Sequence, residues 1–63
     1  MPNAGTVIRA ARKAQKLPLR DLATLAEVDY SMLSKVERGL VNPSPRWLKS
    51  VMDALGKHMA EAS

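Results

Sequence analysis

Leu19-Arg20-Asp21-Leu22-Ala23-Thr24-Leu25-Ala26-Glu27-Val28-Asp29-Tyr30-Ser31-Met32-Leu33-Ser34-Lys35-Val36-Glu37-Arg38-Gly39 is the stretch that decides the fold. Leu19, Leu22, Ala23 and Ala26 recur at the three- and four-residue steps that line one face of a helix. Leu33 and Val36 do so again after Tyr30, with Met32 and Glu37 beside them. The spacing predicts one helix over 19–26, opened by Pro18 or Leu19, and a second over 30–38. Proline suits a first turn, where its missing N–H breaks no bond. Asp29 is the N-cap of the second helix, its carboxylate accepting from a free first-turn amide at the positive end of the helix dipole. Gly39 ends that helix in a left-handed conformation. Only Glu27-Val28-Asp29 joins the two. So short a link makes the helices cross steeply, with Val28 as an apolar plug and with Ala23 and Ala26 letting the backbones approach.

Outward from this pair, a helix is expected over 6–16, capped by Asn3 or Thr6. Val7, Ile8, Ala11 and either Ala14 or Gln15 trace its apolar stripe, and Arg9, Arg12, Lys13 and Lys16 are its charged positions. Lys16-Leu17-Pro18 breaks it, because Pro18 lacks an N–H and restricts the residue before it. On the other side, Leu40-Val41-Asn42-Pro43 reads as a loop. Ser44 caps a fourth helix over 44–55 with Pro45 in its first turn, and Leu48, Val51, Met52 and Leu55 form its stripe. Gly56 is expected to end it. Residues 57–63, with Met59 their only large apolar side chain, are expected as a weak turn or a fraying tail. The fold class is all-α: a compact bundle of four to five short helices in one domain, 1–63.

Composition bounds the function. A chain of 63 residues buries a small share of its surface. It has no cysteine, which excludes disulfides and thiolate metal sites and leaves close helix packing as the source of stability. No apolar run approaches the ~20 residues of a membrane span. Met1-Pro2-Asn3-Ala4-Gly5 lacks the charged start and long apolar stretch of an export signal, so a cytoplasmic location is expected. Ten Lys and Arg against six Asp and Glu give a net charge of +4, which favours an anionic partner.

Taken in order and at this spacing, Ile8-Arg9-Ala10-Ala11-Arg12, the residues from Leu19 to Ala26, those from Tyr30 to Gly39, Pro43-Ser44, and Leu48 to Gly56 resemble a known family. It is that of the helix-turn-helix domains of phage repressors, Cro (C1-type) and bacterial xenobiotic-response-element (XRE) regulators. The resemblance covers Ile8 to Gly56. It implies a lambda repressor-like DNA-binding fold, double-stranded DNA as partner, and helix 30–38 in the major groove. It places Tyr30, Ser31, Ser34 and Lys35 at base-contacting positions. Lys35 is a donor for guanine O6 or N7, Ser31 and Ser34 bond base edges or phosphate, and Tyr30 touches a thymine methyl or a phosphate. Arg20 and the first-turn amides of helix 2 fall beside the DNA backbone. Arg46 falls where relatives reach the minor groove or adjacent phosphates, and Arg9, Lys13, Arg38 and Lys49 are further phosphate contacts. Arg12 and Glu37 match an internal salt bridge between helix 1 and the end of helix 3. The chain departs from the family at Pro18, which replaces a Ser, Thr or Asn cap. It departs again at Glu27, where a glycine usually meets the need for positive φ. The polar Lys57-His58-Met59 stands where relatives continue into an apolar fifth helix.

These features together imply a sequence-specific duplex DNA-binding transcription regulator at the nucleoid of a bacterial cell. Repression by occupying a promoter is the simplest mechanism. One domain covers a half-site, so tight binding calls for a homodimer on a near-palindrome or another DNA-bound partner. No nucleophile–base pair, metal-ligand set or phosphate loop is visible, so an enzyme, a metal, a cofactor and a small-molecule ligand are not expected. Nor is a membrane, since each helix carries only a narrow apolar stripe. His58 has no acidic or histidine partner at ligand spacing and reads as an ordinary surface residue. Asp21, Asp29 and Asp53 read as caps and solubilising charges, Trp47 as core or half-core, and the methionines as core filling. A rival reading is a small protein-interaction accessory module that binds a larger regulator through helix 4 and Trp47. It requires Leu25, Trp47 and Met52 to share one exposed patch, and the polar, basic outer face of helix 3 stands against it.

Overall fold

Four helices, α1 (Ala4–Ala14), α2 (Leu19–Ala26), α3 (Tyr30–Glu37) and α4 (Pro45–Ala62), make up the computed structural model, which describes residues 3–62. There is no strand among the described residues. Met1, Pro2 and Ser63, which the domain 1–63 and the tail 57–63 take in, lie outside the described residues. Side-chain caps start three of the helices. Asn3 Oδ1 accepts from Thr6 N at 2.9 Å and from Thr6 Oγ1 at 3.1 Å, so α1 begins two residues earlier than the expected Thr6. Asp29 Oδ2 accepts from Met32 N at 2.9 Å, and Ser44 Oγ from Trp47 N at 3.1 Å. Pro18 occupies the N-cap of α2 with no side-chain bond.

The first three helices stop in the same way. Lys16, Glu27 and Gly39 take left-handed backbone, with φ of 54°, 56° and 76°. In each case the next residue donates to a carbonyl five back: Leu17 N to Arg12 O, Val28 N to Ala23 O, and Leu40 N to Lys35 O. This closing pattern satisfies carbonyls that the helix itself leaves free. Only the third stop uses glycine, which adopts that conformation without a steric penalty. α1 therefore ends at Ala14, and the left-handed turn at Lys16 comes before Pro18 can act.

Packing runs in a ring: α1 on α3, α3 on α2, α2 on α4, and α4 back on α1. Ile8, Leu22, Leu33, Val36 and Val51 fill the centre, and Leu17, Ala23, Ala26, Ala54 and Leu55 surround them. Two expected stripes are rotated. In α1, Val7 is 46% exposed and Ala14 is exposed, while Gly5 and Ile8 point inward and Arg12 and Gln15 are half-buried. In α4, Met52 lies outside and Ala54 inside. The rotation of α1 follows from Gly5. A Cβ there would sit 1.9 Å from Val36 O, so only glycine allows α1 to lie this close to the last turn of α3.

Arg12 then reaches Glu37. Its Nε donates to Oε2 at 2.8 Å, its Nη2 to Oε1 at 2.9 Å, and its Nη1 to Leu17 O at 2.9 Å. The two side chains are 13% and 6% exposed. The hydrogen bond to Glu37 raises the Arg12 pKa above its ordinary value, with burial opposing and the Glu37 charge reinforcing it.

The expected end of the fourth helix at Gly56 is corrected: α4 continues to Ala62. A mid-helix glycine weakens a helix by about 1 kcal/mol relative to alanine, which an anchored helix can absorb. The anchor is Gln15, whose Nε2 donates to Leu55 O at 3.2 Å while its Oε1 accepts from His58 Nδ1 at 2.6 Å. His58 is thus a half-buried tether rather than a free surface histidine.

Gly5→Ala is expected to lower the unfolding free energy by about 2 kcal/mol or more through overpacking, although alanine is the better helix former. Lys16→Gly is expected to raise it by about 0.5–1 kcal/mol, since relief of the left-handed penalty exceeds the added entropy of the unfolded chain. Arg12→Ala is expected to remove about 3–5 kcal/mol by leaving Glu37 buried and unpaired. The double change Arg12→Met with Glu37→Leu is expected to cost less than Arg12→Ala alone, because no charge is stranded. Urea denaturation of each variant measures all four.

Candidate nucleic-acid interface

α3 divides cleanly into two faces. Leu33 and Val36 are 0% and 1% exposed and turn into the core, with Glu37 held by Arg12 on the same side. At about 100° per residue, Tyr30, Ser34, Arg38, Ser31 and Lys35 fall on the opposite arc, about 140° wide. Ser31, Lys35 and Arg38 are exposed, Tyr30 is 49% exposed and Ser34 is half-buried. The arc carries hydroxyl, ammonium and guanidinium groups, which are the donors and acceptors that meet base edges and phosphates.

The arc continues onto neighbouring helices. Ser34 and Arg38 border an open cleft of about 450 Å³ with Arg9 of α1 and Leu19 of α2. A second cleft of about 240 Å³ joins Arg9 to Thr6, Ala10 and Lys13. Arg9, Lys13 and Arg38 are therefore brought to one side, next to the start of α2. Glu37 borders both clefts, but its carboxylate is taken up by Arg12, so it offers an approaching anion little repulsion. The first turn of α2 has no side-chain cap, which leaves its amides at a positive dipole end without a side-chain acceptor. Arg20 is exposed in that turn.

Two basic residues stand apart from this cluster. Arg46 is exposed at the start of α4. Lys49, one turn on, pairs with Asp53 at 3.1 Å, both well exposed. The patch that the accessory-module reading requires is not assembled. Leu25 borders one cleft with Leu17, Asp21, Thr24 and His58 and another with Glu27, Ser50, Asp53 and Lys57, Met52 borders a different one beside Ala14, and Trp47 is half-buried against the core. Sequence reasoning missed the close approach at Gly5 and the hydrogen bonds of Gln15, which it offered only as one option for the inward stripe of α1. Both act through partners 25 residues or more away in sequence, so local spacing carries no signal of either. Among the described residues, no helix is long and apolar enough to cross a membrane. None of their acidic and histidine side chains form a group of three or more that could hold a metal ion.

The chain matches the helix-turn-helix family over residues 8–61. It is 39% identical over 51 residues to the transcriptional regulator ClgR of Mycobacterium tuberculosis, covering 81% of this chain and 46% of that protein. It is 40% identical over 58 residues to the HTH-type transcriptional regulator SlrR of Bacillus subtilis, covering 90% of this chain and 38% of that one. The chain thus spans less than half the length of either relative. No solved structure matches it at comparable significance. With the matched region taking in all of α2 and α3 and most of α1 and α4, the chain belongs to the helix-turn-helix family.

Proposed function

We propose that the protein is a sequence-specific duplex DNA-binding transcription regulator that reads the major groove with α3. The observation that carries this reading is the polar outer arc of α3, continuous with the cluster of Arg9, Lys13 and Arg38. Two regulators among its relatives support it. Lys35, Ser31, Ser34 and Tyr30 supply base contacts. Arg9, Lys13, Arg20, Arg38 and the uncapped first-turn amides of α2 hold phosphates, with Arg46 and Lys49 reaching the flanking backbone or minor groove. A phosphate at that helix start gains both the free N–H groups and the dipole. Phosphate contacts give most of the affinity and its salt dependence, while base contacts give the discrimination. Binding over a promoter excludes the polymerase, so repression by occupancy is the proposed action, at the nucleoid in the cytoplasm. A single α3 spans one half-site, so two copies on a near-palindrome give the tight complex.

Selection of bound sequences from random duplex DNA, repeated at two salt concentrations, tests the reading. An enriched motif is expected, and it should disappear for the double variant Ser34→Ala, Lys35→Ala. Lys35→Ala or Ser31→Ala alone should cost about 1–3 kcal/mol of discrimination between cognate and altered sites. Arg46→Ala should weaken binding evenly across sequences and reduce the salt slope by about one unit. Unchanged affinity and preference in the helix α3 double variant would remove α3 from the reading role.

A further inference from the structure

Gly56 fits two different ends of α4. It follows Leu55 as a glycine follows the last residue of a helix that stops in left-handed backbone. Yet α4 runs through it to Ala62, its φ is negative, and a Cβ at this position would meet no atom within 4 Å. The long helix therefore has no use for glycine, and alanine would make the better helix. What lies beyond is thinly held. From Gly56 to Glu61 only His58 is even half-buried, and Met59 is 60% exposed. One side chain grips α4 on both sides of the glycine. Gln15 Nε2 donates to Leu55 O at 3.2 Å, just before it, and Gln15 Oε1 pairs with His58 Nδ1 at 2.6 Å, just after it. The carbonyl of Leu55 takes the amide nitrogen, which leaves the amide oxygen facing the ring. An amide oxygen only accepts, so His58 carries a hydrogen on Nδ1. The Leu55 carbonyl is thus satisfied by Gln15 whether or not a further turn of helix reaches it, which removes the usual cost of ending a helix there.

We propose that α4 exchanges between two ends, a long one at Ala62 and a short one at Leu55, by a change of Gly56 to left-handed backbone. Gln15 serves both. Its Nε2 stays on the Leu55 carbonyl throughout, and its Oε1 holds His58 in the long form alone. The short form gives up one side-chain bond and a helical turn that buries little, and it regains the freedom of the released residues. Such near balance is what lets two ends coexist. The exchange changes the surface. His58 borders the cleft that contains Leu17 and Leu25, and Met59 borders the groove that contains Ala14 and Met52. The bonded pair of Gln15 and His58 divides the two. When His58 and Met59 leave, cleft and groove join into one largely apolar channel past Gln15, from Leu25 to Met52. The long end is therefore a strap that keeps this channel closed. The exchange stands apart from the DNA reading, since no residue assigned to bases or phosphates takes part in it.

Native-state hydrogen exchange of the full chain, followed by NMR, tests the two ends. The amides of Met59 to Ala62 are protected only in the long form. They are expected to exchange about a hundredfold faster or more than those of Leu22, Leu33 and Val51, which open with the whole domain. Gly56→Ala should slow the exchange of Met59 to Ala62 about fivefold or more, because alanine favours the helix and disfavours the left-handed turn. Gln15→Leu should leave these four amides nearly unprotected while Leu22, Leu33 and Val51 remain protected. In the same variant the ring nitrogen shifts of His58 should lose their preference for hydrogen on Nδ1. His58→Ala, which keeps Gln15 on the Leu55 carbonyl, should give the same local loss of protection without lowering that of the core. Exchange of Met59 to Ala62 at the rate of the core would show a single long end and overturn the proposal. Unchanged protection of these amides in both Gln15→Leu and His58→Ala would overturn it as well, since the strap would then be held by something else.

Discussion

The contact between Arg12 and Glu37 is the constraint on which the arrangement depends. One guanidinium makes two bonds to a carboxylate at the end of α3 and a third to the carbonyl of Leu17 in the connection to α2. Three segments are thereby fixed from one side chain, at a place where neither partner has much water to fall back on. The pair forms because α1 comes close, and α1 comes close because Gly5 presents bare backbone to the Val36 carbonyl. The same pair settles the electrostatics outside. Glu37 is the acid nearest the cationic clefts, and Arg12 neutralises it from within, so the surface remains positive where Arg9, Lys13 and Arg38 meet.

How much of this was legible in the sequence depended on how local the cause was. Asn3, Asp29 and Ser44 announce helix starts because a cap acts within three residues. Gly39 announces a stop for the same reason. Lys16 makes the same stop and announces nothing, since its left-handed turn is imposed by Leu17 entering the core and by Arg12, whose carbonyl the Leu17 amide finds. Glu27 was visible only as a departure from the family's glycine. The passage of α4 through Gly56 could not be read at all, because the tether from Gln15 to His58 joins residues 43 apart. Periodicity also left a choice of register in α4. Leu48, Val51, Met52 and Leu55 form a valid stripe, and α2 and α1 select the version that buries Ala54 and exposes Met52.

The candidate interface divides along the same line. The outer arc of α3 follows from helix geometry once Leu33 and Val36 point inward, and it holds Tyr30, Ser31, Ser34 and Lys35, the four residues that the family resemblance implies as the outward-facing set. The gathering of Arg9 and Lys13 with Arg38 does not follow from one helix, because it needs the packing of α1 on α3. Net charge identified a class of partner, but only the folded ring assigns the charge to a side of the molecule.

An eight-residue helix is too short to persist alone in water, and α3 has exactly this length problem to solve. Its stability comes from elsewhere: the Asp29 cap at one end, the left-handed Gly39 and the Glu37 ion pair at the other, and two fully buried side chains between them. None of these involves the side chain of Ser31 or Lys35. The outer face is consequently free of structural duty, and side chains there can change without loosening the helix that presents them. Separating the residues that hold α3 from those that face outward lets one small scaffold carry different surface chemistry on the same backbone.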